Sequence, residues 1–262
     1  MFYGKLIGGV IGLLVLGPIG LILGVIVGHL FDNGLMQTLK FASPQNIARI
    51  KQSFFETTFL LSGFLAKADG RISEQEIAHT EAVFTQMGLN AEQRKRAIEF
   101  FQRGAAADFQ PEPAAAAFIE ITRGQRQLCQ TLLFFLISLA LADHRIDDAE
   151  QAALQRIATL LGFSAAELAQ FLRMAQAQDH FHGSAGYAAQ PGTSLEDAYE
   201  ALGVSADVDD KGLKRAYRKL MSEHHPDKLI AQGVPEDMVK LATERSQEIQ
   251  AAYEMIKKSR GG

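Results

Sequence analysis

The chain has 262 residues and a formal net charge of −4, with 21% charged residues. That length accommodates two small domains, each with its own core. The charge balance excludes a general nucleic-acid binder, so no nucleic-acid partner is expected. The single cysteine, Cys129, excludes an internal disulfide and a cysteine zinc site, and its apolar helical surroundings predict a buried, inert thiol.

Residues 1–5 form a short leading segment. Leu6 to Phe31 then carries no Asp, Glu, Lys or Arg, with Lys5 and Asp32 as its brackets. At about 1.5 Å per residue a helix of this length reaches roughly 39 Å, more than the ~30 Å hydrocarbon thickness. A cleaved signal peptide would have a shorter apolar region followed by small residues, whereas Asp32-Asn33-Gly34 follows here. The reading is an uncleaved, single membrane span over 6–31, kinked at Pro18. Lys5 stands alone before it, while Lys40, Arg49 and Lys51 follow. The short N-terminus is therefore expected outside and the bulk of the chain in the cytoplasm. Gly4, Gly8 and Gly12 are spaced by four, as are Gly20, Gly24 and Gly28. Each trio lines one side of a helix where a second backbone can approach, which predicts a homodimer through the membrane helix.

From Ser43 to Gln176 the pattern is helical. Ser43-Pro44 starts a helix through Ile47, Ile50, Phe54, Thr58, Leu61 and Leu65, ending near Ala68. An internal echo follows. Ala68-Asp69-Gly70-Arg71-Ile72-Ser73-Glu74-Gln75-Glu76 returns as Ala142-Asp143-His144-Arg145-Ile146-Asp147-Asp148-Ala149-Glu150, and Met87-Gly88-Leu89 returns as Leu161-Gly162-Phe163 at the same offset. Ser73 with Glu76, and Asp147 with Glu150, have capping-box spacing, and Gly88 and Gly162 suit helix C-caps. Duplicated helix pairs of this kind pack most simply as one domain about a pseudo-twofold axis. Gly104 to Pro113 reads as a connection and Ala114 to Ile121 as a short helix. Thr131 to Ala142, nearly all apolar but too short to span a bilayer, is the expected central core helix.

This duplicated unit resembles the TerB-like domain, an all-helical module named from tellurite-resistance proteins, whose acidic residues have been associated with metal binding. The resemblance makes Asp69, Glu76, Asp143 and Glu150 metal candidates. The first reading of these four is as caps and turn closures, so no metal is expected. An EF-hand is excluded because position twelve from Asp69 is Thr80, not Glu.

Residues 177–192 hold His180, His182, Gly183, Gly186, Pro191 and Gly192, the composition of a flexible linker. Such a linker would let the C-terminal module search for a partner near the membrane. In the module at 193–262, Lys211, Lys214, Arg215, Arg218 and Lys219 recur on one exposed side of a helix. Leu213, Ala216, Tyr217, Leu220 and Met221 occupy the opposite side. Pro226 pushes His225 out of helical geometry, so the helix is expected to stop in a rigid His225-Pro226-Asp227 loop, with a further loop from Leu229 to Pro235.

Leu195 to Val204, Ala216 to Leu220 with His225-Pro226-Asp227-Lys228, and Glu248 to Ile256 together resemble the J domain of DnaJ-type co-chaperones. In this chain Leu229 stands where many relatives have Asn, Ser246 where many have an aromatic residue, and the third helix is longer than usual. The order of anchor, TerB-like domain and J domain is similar to one subfamily, the membrane-anchored DnaJ-like co-chaperones, over essentially the entire chain. The expected fold class is therefore all-α: one N-terminal transmembrane helix, a duplicated helical domain at 43–176, and a C-terminal J domain built on a helical hairpin.

The resemblance implies a DnaK-type chaperone as partner, whose ATPase the J domain stimulates, with regulation of envelope or capsule processes as an outcome. It assigns Lys211, Lys214, Arg215, Tyr217, Arg218, Lys219, His225, Pro226, Asp227 and Lys228 to chaperone binding. The chain has no Gly-rich phosphate loop followed by Lys-Ser/Thr, so the ATPase must be the partner. No cofactor, catalytic residue or enzymatic activity of its own is expected. The alternative is a metal-responsive membrane sensor built on the four carboxylates. A metal-dependent hydrolase using Asp69, Asp143 and His144 lacks a nucleophile and general-base arrangement.

Overall fold

The computed structural model describes residues 43–68, 87–141, 146–179, 181 and 194–261. Two compact units, Met1–Ala48 and Arg49–Gly262, divide the chain, and of the first only 43–48 is described. The membrane span expected at 6–31 and its two glycine trios lie outside the described residues. So do Ser73 and the metal candidates Asp69, Glu76 and Asp143. Among the described residues every regular element is a helix, and none is long and apolar enough to cross a membrane.

The first six helices are α1 (Pro44–Ala66), α2 (Ala91–Gly104), α3 (Pro111–Thr122), α4 (Arg126–Leu141), α5 (Asp148–Leu160) and α6 (Ala165–Asp179). α1 opens as expected, with the Asn46 N–H donating to Ser43 Oγ at 3.3 Å. Its apolar positions Ile50, Phe54, Leu61 and Leu65 are buried. Phe54 meets Phe118 of α3 and Phe135 of α4 edge-on, both at 5.7 Å. Burying rings and aliphatic side chains of this size contributes roughly 1.5–3 kcal/mol each. α1 and α2 cross at two glycines. A Cβ on Gly63 would fall 2.0 Å from the Phe101 carbonyl oxygen, and one on Gly104 would fall 1.9 Å from that of Leu60.

α4 begins five residues before the expected core helix, and it buries Leu128, Leu132, Leu133, Leu136 and Ile137. Cys129 is buried with them, and burial pushes its thiol pKa up, which keeps it protonated. The connection expected over Gly104 to Pro113 is shorter than that, because Pro111 is already the first residue of α3. A proline at that position lacks only a backbone N–H that the first turn does not use. The repeat is visible in its described parts. Gly88 and Gly162 both take left-handed backbone, with φ of 74° and 86°. Asn90–Gln93 and Ser164–Glu167, at the same offset, both place reciprocal side-chain caps on the helices that follow.

The C-terminal module comprises α7 (Leu195–Ala201), α8 (Asp210–Glu223), α9 (Pro226–Gln232) and α10 (Glu236–Ser259). Its core gathers Ala198, Tyr199, Leu202, Leu213, Leu220, Ile249, Ala252 and Ile256. Met174, just before the expected linker, and Ala177 and Phe181, within its first residues, belong to the same cluster. The start of that linker is helical, because α6 runs to Asp179. The Gln178 side-chain amide donates to the Ala201 carbonyl at 2.9 Å, satisfying an acceptor at the end of α7. Met174, Ala177 and Phe181, at i, i+3 and i+7, carry the apolar stripe of α6 into the first residues of the expected linker, of which 180 and 182–192 lie outside the described residues.

Candidate functional site

α8 carries the cationic row. Asp209 caps it, accepting from the Gly212 N–H at 2.7 Å. Leu213 and Leu220 are buried beneath, while Lys211, Lys214, Arg215, Arg218 and Lys219 are all exposed. Lys219 lies 3.9 Å from Glu223; the other four make no ion pair with any described residue. Tyr217 belongs to the opposite side. Its ring stacks on Tyr253 of α10 with centroids 4.1 Å apart, so it supports the cationic face from behind. Arg260 closes the module, donating to the Tyr199 hydroxyl at 3.1 Å and to Asp210 at 2.8 Å.

The corner after α8 is tighter than the expected loop. α8 ends at Glu223, only His224 and His225 turn the chain, and Pro226 opens α9. His225 is the N-cap of α9: its Nδ1 accepts from the Asp227 N–H at 3.2 Å. Its carbonyl accepts from the N–H groups of Lys228 and Leu229, both at 3.1 Å. The His-Pro-Asp tripeptide is thus a helix start, in which proline stops α8 and pre-sets the first turn of α9. The stretch expected as a loop from Leu229 is helical through Gln232, and Gly233 ends it at φ 97°. Lys228 Nζ donates to Ser222 Oγ at 3.1 Å and ties α9 back to α8. His225 and Asp227 are exposed, and the Asp227 carboxylate makes no hydrogen bond or ion pair with any described residue.

His224, which the sequence reading did not single out, is buried. It caps α8 by donating its N–H to the Leu220 carbonyl at 3.0 Å. Its ring meets Phe134 of α4 edge-on at 5.6 Å, and its carbonyl accepts from Ser246 Oγ at 3.2 Å. Burial, with the neighbouring Arg245 charge, lowers its pKa to about 4, so the ring is neutral at physiological pH. Among the described residues no three His, Cys, Asp or Glu side chains converge as metal ligands. Glu150, the one described metal candidate, instead accepts from the Asp147 N–H at 3.0 Å, completing the capping box read from the sequence.

An exposed row of cations running into a His-Pro-Asp helix start, braced by the long helix α10, defines a J-domain protein. Three family models match the chain: the DnaJ domain over residues 197–260, the tellurite resistance protein TerB over 56–173, and the co-chaperone DjlA transmembrane domain over 1–38. The co-chaperone protein DjlA of Shewanella oneidensis is 39% identical over 99% of this chain and 98% of the relative. That of Escherichia coli is 38% identical over 99% of this chain and 98% of the relative. That of Coxiella burnetii is 38% identical over 98% and 97%. No solved structure matches. The chain belongs to the DjlA co-chaperone family.

Proposed function

We propose that this chain is a membrane-anchored co-chaperone whose J domain docks on a DnaK-type chaperone and accelerates its ATP hydrolysis. The observation that carries this reading is the pairing of functions on one corner. Exposed cations on α8, four of them without a described ion-pair partner, lead directly to an exposed Asp227 carboxylate that makes no hydrogen bond or ion pair with any described residue. The cations steer the module onto an acidic surface of the partner. Asp227, aimed by the Pro226 helix start and the His225 cap, then disturbs contacts within the partner that hold back hydrolysis. The chain supplies the trigger and the partner supplies the ATPase.

The expected span at 6–31, within the segment that the transmembrane family model matches, holds the module at the cytoplasmic face and raises its local concentration there. The two glycine trios bring a second copy alongside in the membrane, which chemical cross-linking of the full chain in vesicles reads directly. Regulation of envelope processes follows from that location in this reading. The metal-sensor alternative gains nothing from Glu150, whose carboxylate serves the α5 cap.

The docking half of the proposal has its own test. Charge reversal at Lys214 and Arg218, titrated as full chain in vesicles against a DnaK-type chaperone, should raise the half-saturating concentration about tenfold and flatten its salt dependence. An unchanged half-saturating concentration would show that the cationic face takes no part in docking.

A further inference from the structure

α4 packs on both sides. Leu128, Leu132 and Leu136 fill the helical domain, while Gln127, Phe134 and Ser138 fall within another stripe of the same helix, at i, i+7 and i+11. Each member of that second stripe touches a different element of the C-terminal module. Gln232, the last residue of α9, donates its amide to Gln127 Oε1 at 3.1 Å. Phe134 holds the His224 ring at the α8–α9 corner. Arg245 of α10 donates to Ser138 Oγ at 3.1 Å. The tripeptide His225-Pro226-Asp227 stands between the first two of these contacts. His224 is covalently next to it and is gripped on three sides: by Leu220 through its N–H, by Ser246 through its carbonyl, and by Phe134 through its ring. A change in the angle between α8 and α9 must pass through this residue. The same packing leaves His225, Asp227 and the cations exposed, so it orients the trigger without covering it.

We infer that the Gln127–Phe134–Ser138 stripe of α4 is a positioning surface for the His225-Pro226-Asp227 trigger: the TerB-like domain sets the direction in which the trigger leaves the cationic helix. This rests on the chaperone-stimulating reading above. The cations lie on α8 and capture the partner, whereas the stripe touches the corner, α9 and α10. Loss of the stripe therefore lowers maximal stimulation and spares the half-saturating concentration.

The test is a titration of full chain in vesicles into a DnaK-type chaperone with ATP turnover as readout. Phe134→Ala should lower maximal stimulation roughly three- to tenfold, the range an edge-packed aromatic pair is worth, with half-saturation within about twofold of the parent. Phe134→Leu, which refills the space, should recover most of it. Phe134 also packs on Phe171, 5.0 Å away, so Phe134→Ala can weaken the domain itself. The double variant Gln127→Ala/Ser138→Ala cuts only the two polar contacts and should move the maximum in the same direction. It should also speed amide exchange at Lys228 and Leu229, whose N–H groups bond to the His225 carbonyl. A maximum unchanged in both variants overturns the inference, as does a loss confined to half-saturation. A raised maximum overturns it in favour of an inhibitory contact. If the parent chain stimulates nothing, the proposed function falls, and the exchange rates still decide the positioning claim: unaltered protection in the double variant would refute it.

Discussion

His224 and His225 are adjacent, identical in chemistry and opposite in circumstance. His225 is exposed and spends its Nδ1 on the Asp227 N–H, while His224 is 8% exposed and sits against Phe134. The pKa of about 4 at His224 gives a pH dependence with a definite sign. Near neutral pH the ring is uncharged in both the folded and the unfolded chain. As the pH falls below about 6.5 the unfolded chain takes up a proton that the folded one refuses, so stability declines down to about pH 4, where the folded ring protonates too. The loss is on the order of 3 kcal/mol across that window. Glu112, Glu167 and Asp207, whose carboxyl pKa values are held below the ordinary range, lose their contribution only at lower pH. Chemical denaturation of the full chain between pH 7 and 4.5 should show the decline, and His224→Leu should flatten it. A parent chain equally stable at both ends would contradict the burial of this ring. Sequence reading could not separate the two histidines, because what buries one of them is Phe134, ninety residues earlier. Ser246 was legible only as a departure from a resemblance. The structure supplies its role, a hydroxyl bonded to the His224 carbonyl.

At the scale of elements, what the sequence displayed best was whatever is local. The Ser43 helix start, the Asp147–Glu150 capping box and the glycine at 162 are short-range geometries, and each stands where its spacing puts it. The cationic face of α8 was equally plain, since alternation at three and four residues survives any tertiary context. α9 was hidden because Pro226 was read as a terminator, and proline serves a helix start as well as it ends one. The α1–α2 crossing was hidden for a different reason: a glycine inside a helix gives no sign of which backbone will approach it. Gly63 and Gly104 admit Phe101 and Leu60 carbonyls into the space a methyl group would need. Gly63→Ala or Gly104→Ala should therefore destabilise the chain by about 3 kcal/mol, at the upper end of ordinary overpacking, as read by urea denaturation. A cost no larger than the gain usual for Gly→Ala in an open helix would mean that the two helices do not cross so closely.

At the scale of the molecule, the sequence suggested a helical domain and a J domain joined by a tether. Residues 180 and 182–192 of that tether lie outside the described residues, and the described ones also join the two parts through side chains. α6 and the turn after it donate Met174, Ala177 and Phe181 to the core of the C-terminal module, and Lys51–Glu236 at 3.0 Å and Gln93–Asp237 at 2.5 Å link α1 and α2 to the start of α10. Long-range pairings such as Lys51–Glu236 carry no local periodicity, so nothing in the sequence signalled them. A module held this way presents Asp227 and the cationic row of α8 in one orientation. The account stands on Asp227 as the triggering group, exposed and free of described partners. Its most direct test is the steady-state ATP turnover of a DnaK-type chaperone with full-length parent chain or Asp227→Asn in vesicles, alongside thermal unfolding of both chains. The account predicts clear acceleration by the parent, none by Asp227→Asn, and matching unfolding curves. Equal acceleration by the two chains would contradict it.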